Sequence, residues 1–292
     1  MEGKSQVVGT GLSGLVGSYV VESLSDLSFS NLDLSVGVDI TDEAQVREAV
    51  SSNQAETILH LAAFTDLNKA WEDRGNKDGV CLKVNVEGTR NIAKATAQTN
   101  KHLVYISTAY VFDGKKEGEY SELDTPSPIE WYGQTKLEGE HIVTDLLPEN
   151  STIIRIDQPF RPDEFAQKPD HVRKIIQALQ AGNTLKLFSD SFFSPTYLAD
   201  LVKAIKWCIS KKPTGIFHVT TGTKLSPYAF GKQIQDKFNL GGVIEKSSLE
   251  EYLKDSTKRP YHKNTTLSPK TYTTESGNAV TSFEVALDLV QV

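Results

Sequence analysis

The sequence predicts an α/β fold, a doubly wound parallel sheet with a smaller C-terminal α+β lobe. Three observations carry that expectation. Short, near-continuously apolar strands alternate with helical segments through the first half of the chain, the pattern of a parallel sheet covered on both faces. The first strand runs into a glycine-rich turn that opens an apolar helix. After Arg155 the rhythm loosens into polar, proline-interrupted chain.

In order, Ser5 to Gly9 reads as the first strand, followed by Thr10-Gly11-Leu12-Ser13-Gly14-Leu15-Val16-Gly17 and a helix through about Leu24. Leu32 to Val38 reads as the second strand, and Thr41-Asp42-Glu43 opens a helix to about Val50, with acids in its first turn. Thr57 to Ala62 is a third, buried strand, and Asn85 to Gln98 is a helix. Leu103 to Ser107 is the next strand, and a helix carrying Tyr132 follows Pro126-Ser127-Pro128. Thr152 to Ile156 is one more strand. Beyond it, helices are expected at His171 to Ala181, Tyr197 to Ile209, Pro227 to Phe238 and Ser282 to Val290, with short strands at Thr184 to Phe188 and Ile216 to Thr220. The domain expectation is a sheet domain over residues 1–157, rejoined by about 192–222, with a smaller lobe from 158–191 and 223–292.

Composition narrows the function. The 292 residues suffice for a large core, and 38% hydrophobic with 24% charged residues is ordinary for a globule in water. A net charge of −7 without a long basic run argues against nucleic-acid and membrane partners. Cys81 and Cys208 stand far apart with no His or Cys at metal spacing, so neither a disulfide framework nor a metal site is expected. The first five residues lack the apolar run of a secretion signal, and no stretch approaches the roughly 20 apolar residues of a membrane span, so the expected location is the cytoplasm.

The chemistry-bearing residues fall at the carboxyl ends of strands, where open α/β sheets bind ligands. Gly11 allows a tight turn, Gly14 lets a pyrophosphate approach the backbone, and Gly17 lets the helix pack on the strand, leaving the phosphates at a helix N-terminus. Asp39 follows Gly17 by 22 residues, near the spacing at which an acid contacts the adenosine. His60-Leu61-Ala62-Ala63 ends a strand in small residues, with His60 itself read as a core histidine. Ser107-Thr108 places hydroxyls at the same edge. Tyr132 and Lys136, four apart, share one helix face. A phenol holds its proton to about pH 10, and an ammonium one turn away is expected to lower that value, fitting the tyrosine to exchange a proton with a carbonyl or alcohol oxygen.

With these pieces in order, the chain resembles the extended short-chain dehydrogenases/reductases, and within them the dTDP-4-dehydrorhamnose reductase (RmlD-like) group. The residues that carry the likeness are the Thr10 to Gly17 loop, Asp39-Ile40-Thr41-Asp42, Ala62-Ala63-Phe64-Thr65-Asp66 and Val84-Asn85-Val86-Glu87-Gly88-Thr89. They continue with Ser107-Thr108-Ala109-Tyr110-Val111-Phe112-Asp113-Gly114, Tyr132-Gly133-Gln134-Thr135-Lys136, Ser194-Pro195-Thr196-Tyr197-Leu198-Ala199-Asp200, Gly215-Ile216-Phe217-His218-Val219 and Arg259-Pro260.

The resemblance implies a Rossmann sheet and an NAD(P)-dependent oxidoreductase that reduces the 4-keto group of a nucleotide-activated 6-deoxy-hexose. It implies NADP or NAD as cofactor, NADPH slightly favoured, held by Gly11, Ser13, Gly14, Leu15, Val16, Gly17, Asp39, Ile40, Leu61, Ala62, Ala63, Asn85, Ser107, Tyr132 and Lys136. Tyr132 would donate the proton, Thr108 rather than Ser107 would hold the oxygen, and Lys136 would tune Tyr132 and bind the ribose. Phe64, Thr65, Gln158, Arg161 and Arg259 are the substrate candidates, the two arginines for a diphosphate. The group usually has Asp where this chain has Ala109, and an apolar tryptophan where it has Gln158. A non-catalytic NADP-binding regulatory subunit, like the β subunit of methionine adenosyltransferase, and a nucleotide-sugar epimerase remain the alternatives. A homodimer or a regulatory partner protein is left open.

Overall fold

The computed structural model describes residues 6–292, so Met1 to Ser5, including the expected start of the first strand, lie outside the described residues. Six parallel strands form the main sheet in the order β2-β1-β3-β4-β5-β7: β1 (Gln6–Thr10), β2 (Ser28–Asn31), β3 (Thr57–His60), β4 (His102–Thr108), β5 (Ser151–Ile156) and β7 (Gly215–His218). Two further strands, β6 (Thr184–Phe188) and β8 (Val243–Ser247), pair in parallel as a separate small sheet.

Because successive strand side chains point to opposite faces, each strand feeds two cores. Val7, Leu59, Val104 and Ile154 face α1 (Leu15–Ser23), α8 (Leu198–Lys211) and α11 (Lys270–Ser276). Their neighbours Val8, Ile58, Leu103 and Ile153 face α2 (Glu43–Ser51), α5 (Thr89–Gln98) and α6 (Trp131–Leu146). Burial on both faces is why these strands read as continuous apolar runs. A third core, with Phe160, Phe193, Phe230 and Phe283, joins α7 (His171–Gln180), α9 (Pro227–Lys237) and α12 (Phe283–Asp288). Short helices α3 (Leu67–Glu72), α4 (Val80–Leu82) and α10 (Leu249–Leu253) complete the helical set, and α4 continues into α5 through a π-helical segment, Lys83–Gly88.

Two element expectations are corrected. The second strand is Ser28–Asn31, not Leu32 to Val38. The alternating Leu32, Leu34, Val36, Val38 pattern is misleading because Leu34–Val36 is a 3-10 turn, capped by Asp33 and closed by Gly37 at φ 79°, with Leu34 76% exposed. The helix expected to begin at Asn85 already starts at Val80, and Asn85 sits inside its π segment. Helices α3, α10 and α11 and strand β8 were not expected; they are short or rim-exposed and leave little periodicity. No described helix is long and apolar enough to cross a membrane.

The sheet changes direction at β1: the chain goes to β2 on one side and then crosses to β3 on the other. Such a switch point opens a crevice beyond the strands' carboxyl ends.

Candidate active site

A cleft of about 820 Å³ opens at this switch point. Its floor is the loop after β1. Gly11 takes φ +67°, and a Cβ there would lie 2.7 Å from the Ala62 nitrogen, so the loops after β1 and β3 are in backbone contact. A Cβ on Gly17 would collide with the Gly11 carbonyl and the Leu12 backbone, which is how α1 packs against its own loop. Gly14 differs. A Cβ there would meet only Gly11 O, at 3.4 Å, so protein packing does not demand glycine. Gly14 is also the N-cap of α1 and offers the helix no side-chain cap. The first amides of α1 therefore open, uncapped, toward the cleft that Gly14, Leu15, Val16 and Gly17 line, a setting that suits an anionic phosphate.

The remaining predicted residues fall into three groups. Ser13, Asp39, Ile40, Leu61, Ala62, Ala63, Thr65, Ser107, Thr108, Tyr132, Lys136 and Gln158 line the same cleft. Asp39 is engaged locally, accepting from Thr41 N at 2.9 Å and Thr41 Oγ1 at 2.8 Å. Asn85 and Phe64 are not in the lining. Asn85 is fully buried, accepts from Phe64 N at 2.8 Å and donates to Thr135 Oγ1 at 3.0 Å, so it clamps the loop after β3 to α6 behind the cleft wall. Arg161 is corrected as a diphosphate ligand. It is 1% exposed and its donors go to Asp163, Glu22 and Ser18, none left for a substrate. Arg259, half-buried, reaches Asn68 Oδ1 at 3.3 Å.

Tyr132 is set by its own helix start. Glu130 caps α6, its buried carboxylate accepting from Tyr132 N at 3.0 Å and Gly133 N at 2.6 Å. The phenol lies near the Thr108 hydroxyl, whose Oγ1 accepts from Tyr110 N at 3.2 Å. The expected electrostatics are corrected here. Burial, then the nearby Glu130 charge, push the Tyr132 phenol above its ordinary range, against the neighbouring Thr108 hydroxyl. Lys136 is engaged elsewhere: its Nζ donates to Ile106 O at 2.8 Å and lies 4.0 Å from the centre of the Tyr105 ring. Burial brings Lys136 itself down to about 7, Glu140 opposing. Glu140 belongs to a buried network, accepting from Arg155 Nε at 2.9 Å and from Ser107 Oγ at 2.5 Å. His60 is a core histidine, between Thr10 Oγ1 and Thr89 Oγ1 and lowered to about 3 by burial, then by Lys136.

Gln158 lines the cleft beside Tyr132 with φ +38°, a left-handed conformation that a non-glycine residue rarely takes. Thr196 enforces it, donating its amide to Asp157 O and receiving the Phe160 amide on its own carbonyl. Asp157, buried behind Gln158, is raised to about 7 by burial, against a hydrogen bond from Thr265. Sequence reasoning missed the far wall, Phe165, Lys168, His171 and Lys174, and it missed Asp33 and Tyr110. Only Asp33 left a usable signal, as an acid shortly after a strand.

A family model described as the RmlD substrate binding domain matches residues 5–291. The chain is 32% identical over 220 residues to the dTDP-4-keto-6-deoxy-D-glucose reductase of Streptomyces niveus, covering 75% of this chain and 74% of that one. Among solved structures it is similar to dTDP-4-dehydrorhamnose reductase from Bacillus anthracis in complex with NADP, with TM-score 0.88, 27% identity and 98% of each chain covered. The Thermus thermophilus UDP-glucose 4-epimerase complex with NAD shares the fold at TM-score 0.81 and 19% identity, covering 98% of this chain and 97% of that one.

Proposed function

The chain belongs to the RmlD substrate-binding domain family, and on that premise we propose that it is an NAD(P)-dependent reductase of the 4-keto group of a nucleotide-activated 6-deoxy-hexose, working in the cytoplasm. The observation that carries the reading is the meeting of two independent devices in one cleft: an uncapped helix start behind Gly14, and the neighbouring hydroxyls of Thr108 and Tyr132. The residues present fit a dinucleotide, since Gly14 is a glycine that the protein's own packing does not require.

When bound, the cofactor supplies a hydride to the sugar carbonyl carbon. The chain does the rest. The first amides of α1 hold the pyrophosphate, and Ala62 and Ala63 leave room for the adenosine. Tyr132, kept protonated by its burial, gives its Oη proton to the carbonyl oxygen as that oxygen gains charge, and Thr108 holds the same oxygen. Hydride and proton together convert ketone to alcohol. Lys136, one turn along α6 from Tyr132 and lining the same cleft, is the group suited to bind the cofactor's ribose. The smaller lobe, residues 158–191 and 223–292, brings Gln158 to the sugar, and Arg259 is the remaining arginine for its diphosphate.

Ala109 bears on the regulatory-subunit alternative. It is fully buried with Val111, Phe112, Tyr120 and Leu267, in a small core outside the cleft lining. Replacing Tyr132 by Phe tests the proposal. Dinucleotide binding, followed by fluorescence titration, should persist, while oxidation of the reduced cofactor with dTDP-4-keto-6-deoxy sugars should fall by about 10² to 10⁴. Undiminished turnover would remove Tyr132 as the acid, and no turnover by the unmodified protein across keto-sugar nucleotides would favour the regulatory role.

A further inference from the structure

Gln158 and Tyr110 belong to two cavities at once. They line the main cleft, and they also line a separate pocket of about 10 Å³ beside it. Tyr110 stands edge to face with a ring on each side, its centre 6.2 Å from that of Tyr132 and 4.7 Å from that of His262. The side pocket therefore begins one ring beyond the proton donor. Its size suits a single water or a single ammonium group.

We propose that this pocket is a subsite for a primary amine on the sugar carbon next to the ketone, and that Asp157 and Ser191 make the chain prefer such an amino sugar. The inference rests on the ketone-reductase reading of the main cleft and narrows its substrate. Of the two carbons beside a 4-keto group, C5 carries the methyl of a 6-deoxy-hexose, which leaves C3 for the amine. Three observations support the assignment.

First, polar atoms at the pocket lack partners in the protein. Ser191, 1% exposed, has no hydrogen-bonding group at its Oγ, and the same holds for both His262 ring nitrogens and for Asp157 Oδ1. The backbone of Phe112 lies near the His262 ring, and the amides of Ser194 and Gln158 lie near the Asp157 carboxylate, without hydrogen bonds of good geometry to these atoms. A buried polar group with no partner costs stability, so a cluster of them at a cavity marks a place that a polar guest completes. Second, they offer chiefly acceptors. His262 is lowered to about 4 by burial, then by Arg259, and so keeps an acceptor nitrogen at neutral pH. Thr265 gives its hydroxyl proton to Asp157 Oδ2 at 2.6 Å, which leaves it lone pairs to offer. An ammonium group, three donors and no acceptor, matches such a set.

Third, the charge is right. Asp157 stands behind Gln158 and Thr265, both in the pocket lining, and burial raises its carboxyl to about 7, opposed only by neutral hydrogen-bond donors. Arg259 lies 5.7 Å from the centre of the Tyr261 ring and donates to Asn68 and to Pro260 O instead. Four rings, Tyr110, Phe192, Phe193 and Tyr261, supply most of the remaining wall. Aromatic rings with a buried carboxylate behind them favour an ammonium group. An acetamide is uncharged and too large for a space of this size.

Steady-state reduction of matched dTDP-4-keto-6-deoxy-hexoses by the full-length protein tests this, one with a C3 hydroxyl, one with a C3 amine and one with that amine acetylated. Oxidation of NADPH or NADH is the readout. The amine should be favoured over the hydroxyl at least about 10-fold in kcat/KM, and the acetylated sugar should be no better than the hydroxyl one. Asp157→Asn, which keeps the shape and removes the charge, should shrink the amine preference to within about 3-fold. Ser191→Ala guards against misfolding. Its hydroxyl has no protein partner to lose, so the variant should melt as the parent does while the preference falls at least about 3-fold. Equal or better reduction of the hydroxyl sugar, equal reduction of the acetylated and free amines, or a preference unchanged in either folded variant overturns the inference and leaves the reductase reading standing. If no keto sugar is reduced, both fall together.

Discussion

A lysine that is 2% exposed sits badly with its own charge, and Lys136 shows how little help the site gives it. Its partners are one carbonyl, Ile106 O, and the face of Tyr105, with Glu140 acting at longer range. The sign of the consequence follows from proton counting. Unfolded, the amine titrates near 10.4; folded, it is lowered to about 7 by burial. Between those values the unfolded chain binds the extra proton, so this group makes stability rise as pH goes from about 7 to 10, by at most about 1.4 kcal/mol per pH unit. Lys136→Met should remove that slope. Urea unfolding of both proteins at pH 7, 8 and 9 should show the variant's advantage greatest at pH 7 and shrinking upward, the difference cancelling other groups such as Cys208. A difference independent of pH would mean that Lys136 stays charged in the folded protein across this range. The sequence does place Lys136 beside Tyr132 correctly, because helical spacing is local. It misjudges the electrostatics, because burial is a property of the packed molecule.

At the scale of elements, the β1–loop–α1 unit separates structural from ligand-directed glycines. Gly17→Ala should cost about 1–3 kcal/mol of stability in chemical denaturation, because the new methyl meets the Gly11 carbonyl. Gly14→Ala should unfold within about 0.5 kcal/mol of the parent yet bind NADH or NADPH at least about 10-fold more weakly. If Gly14→Ala binds normally, the loop does not cradle the pyrophosphate. This unit was legible because its signals lie within a dozen consecutive residues. The next strand was not. Ser28–Asn31 is a half-exposed edge strand with one large apolar residue, whereas the exposed Leu34 and Val36 imitate a strand's alternation. That error left Asp33, which lines the cleft just past the strand, unflagged, since a count of residues from Gly17 cannot tell where a strand stops. The far wall was illegible for another reason: Lys168 and His171 meet the glycine loop's cleft only through tertiary folding, about 150 residues downstream.

In the whole molecule, the two cleft walls belong to different cores, the glycine loop to the main sheet and α7 to the core it shares with α9 and α12. Arg161 joins them. Its guanidinium reaches Ser18 Oγ at 2.8 Å and Glu22 at 2.7 Å on α1, and Asp163 at 2.7 Å on its own segment. Arg173 of α7 then donates to Arg161 O at 2.8 Å, to Pro162 O at 2.9 Å and to Gln291 O at 3.1 Å, extending the tie to the C-terminal end. Losing one member of a buried ion network costs about 3–5 kcal/mol, but Glu22 is 57% exposed and Asp163 39%, so water can recover part of their solvation. Arg161→Met should therefore lower stability by about 1–3 kcal/mol, and a 1 kcal/mol loss lowers the melting midpoint of a domain of this size by roughly 2–4 °C. It should also weaken dinucleotide binding, although Arg161 has no donor to spare for a ligand, because α7 would no longer be fixed opposite the glycine loop. Saturating NADH should in turn recover part of the lost midpoint, as a ligand spanning both walls stabilises whichever state holds them together. An Arg161→Met protein that melts as the parent does and binds NADH equally well would show that the walls are held by their apolar cores alone.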